Sequence, residues 1–132
     1  TAGISSTFPA IKTYKSSANV LQTIAEFQLL TIQRPHIIFK INDTVGDKTD
    51  GYAYETTLSI KDSTQNLLYE LKFYDMGKEK KGTEILLIGA HDMNRNQGGY
   101  GINAIGMKPL LTNFQSEILV SLKNKGLNLK SM

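Results

Sequence analysis

A cysteine-free chain of 132 residues with net charge +3 is about one domain's worth, long enough to bury a core without disulfide or metal staples. The missing cysteine excludes thiol catalysis and cysteine-containing zinc sites, and lysines spread among acidic residues, with Arg34 and Arg95 the only arginines, do not make the clustered basic stripe that nucleic-acid binding calls for. No apolar run approaches the roughly 18 residues of a membrane-spanning helix; the longest, ILLIGA, is strand-sized.

The chain opens on TAGISST, which is small, polar and unpatterned. Residues 1–14 therefore read as an N-terminal extension or tether, of the kind left by a cleaved signal, and 15–128 as a single α+β domain. In SSANVLQTIAEFQLLTIQRP, Val20, Leu21, Ile24, Phe27 and Leu30 or Thr31 recur at three- and four-residue steps, which predicts an amphipathic helix. Ser16 or Ser17 offers a hydroxyl cap, and Pro35 pushes the residue before it out of helical geometry, so the helix should cover 17–32.

After Pro35 the period changes to two. Ile37, Phe39 and Ile41 share one face and Ile38 and Lys40 the other, ahead of a polar turn region, DTVGDKTDG. YAYETTLSIK sets Tyr52, Tyr54, Thr56, Leu58 and Ile60 against Ala53, Glu55, Thr57, Ser59 and Lys61. NLLYELKFY sets Leu67, Tyr69, Leu71 and Phe73 against Leu68, Glu70, Lys72 and Tyr74. A DSTQ hairpin loop that pairs Lys61 with Asn66 makes the apolar faces coincide and places Glu55 opposite Lys72. A slip of one residue would set apolar against polar along the ladder.

EILLIGAH breaks the alternation, because Ile85 and Leu87 share one face while Leu86, Ile88 and Ala90 fill the other; both faces should be covered. GYGINAI offers a fifth strand. KPLLTNFQSEILVSLKNKG returns to helical spacing through Leu111, Phe114, Ile118 and Leu122, with Pro109 in the first turn and Gly126 as a stop. The order α-β-β-β-β-(β)-α predicts a two-layer α+β sandwich: an antiparallel sheet of four or five strands with the N- and C-terminal helices packed on one face. That plan recurs among ligand-binding domains and soluble domains of bacterial envelope lipoproteins, an analogy of architecture alone.

Catalytic patterns do not converge. GYGINA has the GxGxxA form, yet polar residues separate it from the preceding strand, and Gly106 and Pro109 break the helix that must open at its end. His91 and Asp92 are strand neighbours pointing to opposite faces, and His36 stands on another element, so both histidines read as structural. Asp43, Asp47 and Asp50 lack calcium-loop order and read as turn residues, and GKEKKG reads as a solvated tip. Glu26, Glu55, Glu70 and Glu117 read as surface groups, with Glu70 opposite Thr57. No catalytic residue, metal site or cofactor is assigned, and the chain reads as non-enzymatic.

Contact residues come from what is left. Asn94, Arg95, Asn96 and Gln97 form the polar tip of a long glycine-supported hairpin turn beside Tyr100. Ile38, Leu68, Leu86 and Ile88 make the second sheet face partly apolar, which calls for a cover. The candidates are the segment bearing Ile4, Phe8 and Ile11, a protein partner, a second copy in a homo-oligomer, or an apolar small molecule. The expectation is a binding or assembly domain making protein-protein contacts in a bacterial cell envelope or periplasm, lipoprotein-like, with the cytoplasm as the alternative compartment. The second expectation is a small-molecule or lipid carrier whose pocket, between helices and sheet, is lined by Tyr52, Tyr54, Tyr69 and Phe73.

Overall fold

The computed structural model describes residues 10–46, 54–76, 82–124 and 129–131. Ile4, Phe8, Tyr52, the turn at 47–53 and the lysine-bearing tip at 77–81 lie outside the described residues.

The chain enters the sheet at β1 (Lys12–Ser16), inside the segment expected to be a tether. Ile11, Tyr14 and Ser16 are buried, so the domain begins before residue 15. KTYKS hides its alternation, because two lysines flank the inward Tyr14 and the last inward residue is a serine. That serine also explains the start of α1 (Val20–Gln33). Ser16 Oγ accepts from the Ala18 N–H at 3.1 Å and sits in a buried hydroxyl cluster with Thr23 and Thr83, so it is not the helix cap. Asn19 caps instead, Oδ1 accepting from the Gln22 N–H at 2.8 Å, and the helix starts later than 17.

The expected meander follows as β2 (Ile37–Gly46), β3 (Tyr54–Asp62), β4 (Leu67–Asp75) and β5 (Thr83–Asp92), all antiparallel. Two short strands complete the sheet: β6 (Gln97–Gly99) on β5 and β7 (Leu129–Ser131) on β1. The order is β2-β3-β4-β5-β1-β7, and β6 shares with β1 the remaining edge of β5. GYGINAI is not a strand. β6 stops at Gly99, and the Gly98 N–H donates to the Ile105 carbonyl at 2.7 Å, closing the following residues into a loop.

The β3–β4 register stands two residues from the expected one. Asp62 is opposite Leu67, Ile60 opposite Tyr69, Leu58 opposite Leu71, Ser59 opposite Glu70 and Glu55 opposite Tyr74. A two-residue shift preserves parity, so the apolar faces coincide in either register. The turn chemistry decides between them, since Asp62 Oδ1 takes the Thr64 and Gln65 N–H groups at 3.1 Å and extends the ladder to Asp62.

A β-bulge decides the faces of β5. Leu71 pairs with Leu87 and Glu70 with Gly89, which leaves Ile88 unmatched. Beyond the bulge the parity inverts, so Ala90 joins Ile85 and Leu87 in the core rather than sharing a face with Leu86.

The C-terminal helix begins as α2 (Met107–Asn113), passes through a π-helical turn at Phe114–Leu119 and ends as α3 (Val120–Asn124). Its buried line is Leu110, Phe114, Ile118 and Leu122, whereas Leu111 is only half-buried. Four-residue steps overshoot an α-helical turn of about 3.6 residues. The wider π turn takes up the excess and keeps the line straight. Both helices cover one sheet face: Phe27 of α1 packs edge-on against Phe73 at 5.2 Å, and Phe114 against Tyr69 at 5.0 Å. Arg34 ties the two helices, its Nη1 donating to the Glu117 carbonyl at 2.7 Å and pairing with Glu117 Oε1 at 3.3 Å. Glu117 is therefore a clasp rather than a solubilising surface group.

Leu71 sits fully buried at the centre of this layer. Leu71→Asp places an unpaired carboxylate there, a penalty of several kcal/mol against a total stability of about 5–15 kcal/mol. The expected result is loss of the cooperative thermal transition followed by near-ultraviolet circular dichroism.

Candidate functional site

Two turns at one end of the sheet share one chemistry. In the first, Asp62 Oδ1 accepts from the N–H groups two and three residues on, and Asn66 adopts the left-handed conformation at φ 57°. In the second, Asp92 Oδ1 accepts from the Asn94 and Arg95 N–H groups at 3.1 and 3.0 Å, and Asn96 has φ 54°. The pattern D-x-x-x-N, present as DSTQN and DMNRN, supplies an aspartate to start each turn and an asparagine to tolerate its last residue. The turns are joined side by side: Asn66 Nδ2 donates to Asn94 Oδ1 at 3.0 Å, and the Met93 N–H to the Asn66 carbonyl at 3.0 Å.

Between these turns and α2 lies a cavity of about 320 Å³. Gln65, Asp92, Asn94, Arg95, Gln97 and Asn113 give it polar walls, and Leu67, Pro109 and Leu110 an apolar one. Three of the four residues expected at the polar tip, Asn94, Arg95 and Gln97, therefore converge on one concave site, while Asn96 carries the turn. The turn itself is short, Met93 to Asn96, and the glycines lie after it. Gly106 closes the cavity wall at φ 79°, and a Cβ there would come within 2.9 Å of Gln97 Cβ and Cδ, so only glycine allows this approach.

The cavity floor is a directed hydrogen-bond chain. Gln65 Nε2 donates to Asp62 Oδ2 at 3.1 Å and to Asn113 Oδ1 at 2.9 Å. Asn113 Nδ2 donates to the Tyr69 hydroxyl at 2.8 Å, and that hydroxyl donates to the Leu110 carbonyl at 2.9 Å. Both ends of the chain, a carboxylate oxygen and a carbonyl, can only accept. That fixes the amide orientations: Tyr69 donates to Leu110 and must accept from Asn113, so Asn113 turns its oxygen to Gln65. Gln65 and Asn113 were invisible as a pair in the sequence, 48 residues apart.

The remaining expected contact residues are distributed over the other sheet face. Tyr100 does not stand beside the tip. It folds over Gly89, its ring edge-on to His91 at 5.1 Å, and its hydroxyl interacts with Glu70. His91 Nε2 lies 2.6 Å from Glu70 Oε2. Bare Gly89 makes room for all three, since a Cβ would meet Glu70 Oε2 at 2.9 Å, Tyr100 at 3.0 Å and His91 Nε2 at 3.1 Å. Glu70, expected opposite Thr57 as a surface group, is thus a partner of His91, because the bulge turns both side chains to the same face. Among the described residues no third metal-ligating side chain joins them.

Ile38, 50% exposed on edge strand β2, is separated along its cross-strand row from half-buried Leu68 by Lys61. Leu86, 8% exposed, faces Lys72 and Thr13 in another row, and Ile88 is the half-buried bulge residue. These four do not form one patch. Ile11, expected to help cover them, is in the core beneath the helices.

A surface that sequence reading missed lies on α1. Leu21, counted with the core stripe, is 67% exposed, with Leu29 at 44% and Ile32 at 74%. Gln22, Ala25, Gln28 and Gln33 are the other exposed positions, so the outward face of this helix carries no charge. The signal was present, since Glu26 is the only ionisable residue in the helix. Among the described residues no helix is long and apolar enough to cross a membrane.

Comparison with known proteins adds no assignment: no protein-family model matches the chain, and neither a curated protein nor a solved structure is significantly similar to it.

Tyr69→Phe leaves an Asn113 N–H without its acceptor and takes from the Leu110 carbonyl one of its two donors, the other being the Phe114 N–H; the expected loss is about 1–3 kcal/mol in urea unfolding with the fold retained. The tyrosines also set an alkaline limit. Burial first raises the Tyr14, Tyr69 and Tyr74 phenols, Tyr74 to about 12, and a hydrogen bond to Glu70 first raises Tyr100. Folded tyrosines stay neutral where the unfolded chain releases protons, so stability is full below about pH 10 and falls as pH rises beyond it. Tyrosinate absorbance should therefore lag behind that of the urea-unfolded chain throughout this alkaline range.

Proposed function

We propose that this is a non-enzymatic binding domain whose contact site is the cavity between the two aspartate turns and α2, engaging a protein partner through a peptide segment. The observation that carries the reading is the convergence on one cavity of six hydrogen-bonding side chains from three separate stretches of the chain, over a floor whose amide orientations are fixed. A preformed concave site with a few convergent polar groups and one apolar wall is the usual form of a recognition pocket. Its polar groups are mostly carboxamides already engaged in structural bonds, which suits holding a ligand more than proton transfer. The uncharged outward face of α1 supports an assembly role as a second contact.

A carrier reading keeps one supporting observation, the cavity's size, at the low end of small-molecule sites, which start at roughly 300 Å³. The location differs from the one expected for a carrier: Tyr69 and Phe73 are fully buried against Phe114 and Phe27, so the space between helices and sheet at these residues is filled. A cell-envelope setting rests on architectural analogy alone.

The Arg95 side chain is exposed and makes no ion pair among the described residues. Arg95→Ala should leave the melting temperature within about 2 °C. The same change should weaken a co-purifying partner or ligand, detected by native mass spectrometry with light scattering. A large loss of stability would remove the contact-loop reading.

A further inference from the structure

We infer that the cavity recognises a peptide carboxylate, with Arg95 as its cationic partner; this rests on the binding reading above and names its chemistry. The inference comes from what the structural bonds leave over. Gln65 uses both Nε2 hydrogens on Asp62 and Asn113, so it offers the cavity only an acceptor, Oε1. Asn94 uses Oδ1 on Asn66, so it offers donors. Among the described residues Arg95 is the one cation lining the cavity, and neither ion pair involves it. Its planar fork of donors matches a carboxylate in bidentate geometry better than any single neutral acceptor.

Asp92, the one carboxylate in the lining, does not cancel that charge. Its Oδ1 is turned to the Asn94 and Arg95 N–H groups, and no ion pair links it to the Arg95 guanidinium. Its presence disfavours a dianion such as phosphate and favours a monoanion accompanied by N–H donors, which is what a peptide supplies. In that arrangement the carboxylate sits on Arg95 and Asn94 Nδ2, neighbouring peptide N–H groups reach Asp92 Oδ2 or Gln65 Oε1, and a side chain rests on Leu67, Pro109 and Leu110. A cavity of about 320 Å³ is at the low end of small-molecule sites, room for the last residues of a chain and too small for a helix.

The carboxylate can come from a chain terminus or from an Asp or Glu side chain, and one experiment separates them. ¹⁵N-labelled full chain is titrated with three pools of N-acetyl tripeptides, followed by amide nuclear magnetic resonance: neutral residues with a free C-terminus, the same peptides amidated, and amidated peptides carrying one Asp or Glu. The expected result is that one or both acidic pools shift the backbone amides of Asn94 to Gln97 and the side-chain amides of Gln65, Asn94 and Asn113, with the neutral amidated pool at least about tenfold weaker. Arg95→Gln, which keeps the turn's backbone bonds, should weaken the acidic pools by about tenfold or more, and Arg95→Lys by less, with the rest of the spectrum unchanged. Equal shifts from the neutral amidated pool, or undiminished binding by Arg95→Gln, would overturn the carboxylate assignment while leaving the cavity as a binding site. Absence of shifts at these residues with all three pools would overturn both.

Discussion

Everything at the turn end of the sheet depends on one unmatched residue, Ile88. Without the bulge, β5 would continue in the parity of Ile85 and Leu87, and Ala90 would face away from the helices. With it, Ala90 faces the core opposite Tyr69, Asp92 pairs with Leu67, and the second aspartate turn arrives beside the first. The same step brings Glu70 and His91 together on the opposite face. The bulge also marks where the second edge of β5 changes hands, from β1 along Thr83–Leu87 to β6 along Ala90–Asp92. A single inserted residue thus rotates the last part of the strand relative to the first, which is how bulges re-aim side chains next to functional sites.

The hydrogen-bond chain from Asp62 to Leu110 then turns that geometry into a rigid floor. At the buried end of the chain the Tyr69 hydroxyl is costly to leave unpaired, and pairing it with both Leu110 and Asn113 sets the donor order outward to the exposed Gln65. Here the restriction reaches across layers: Asp62 and Gln65 belong to the β3–β4 turn, Tyr69 to β4, and Leu110 and Asn113 to the C-terminal helix. The floor is fixed, while the exposed Arg95 side chain on the rim makes no ion pair among the described residues. That division suits a site that holds its shape and adjusts one long side chain to what arrives.

Sequence alone yielded the strands of the meander, both helices and the two-layer plan, because each rests on a period that survives small errors of register. Parity did not depend on whether Lys61 or Asp62 closed the first hairpin, which is why the apolar faces matched while the cross-strand partners of Glu55 and Glu70 did not. The inverted half of β5 was legible in principle: a glycine inside a strand that is apolar on both faces is a bulge signal, and Gly89 follows Ile88 directly. β1 and β7 were not, since five and three residues are too few for a period to show. For the site, Asn94, Arg95 and Gln97 were readable as a polar tip because they lie close in sequence. Gln65 and Asn113 were not, because nothing local joins them; the repeated D-x-x-x-N turn was the one available hint that two distant segments do similar work.

The placement of β1 has a consequence for synthesis. Within this domain the strand precedes the others, yet one of its edges is filled by β5 and the other by β7, with Tyr14 opposite both Ile85 and Ser131. Its partners follow it at long range in the chain, and until both are made its backbone donors and acceptors have only water or the wrong strand to bond with. Helix α1 and the β2–β5 meander can form from neighbouring segments, whereas seating β1 requires long-range closure, the slow kind of folding event. The nascent domain would thus carry a strand in waiting until β5, and then β7, is made.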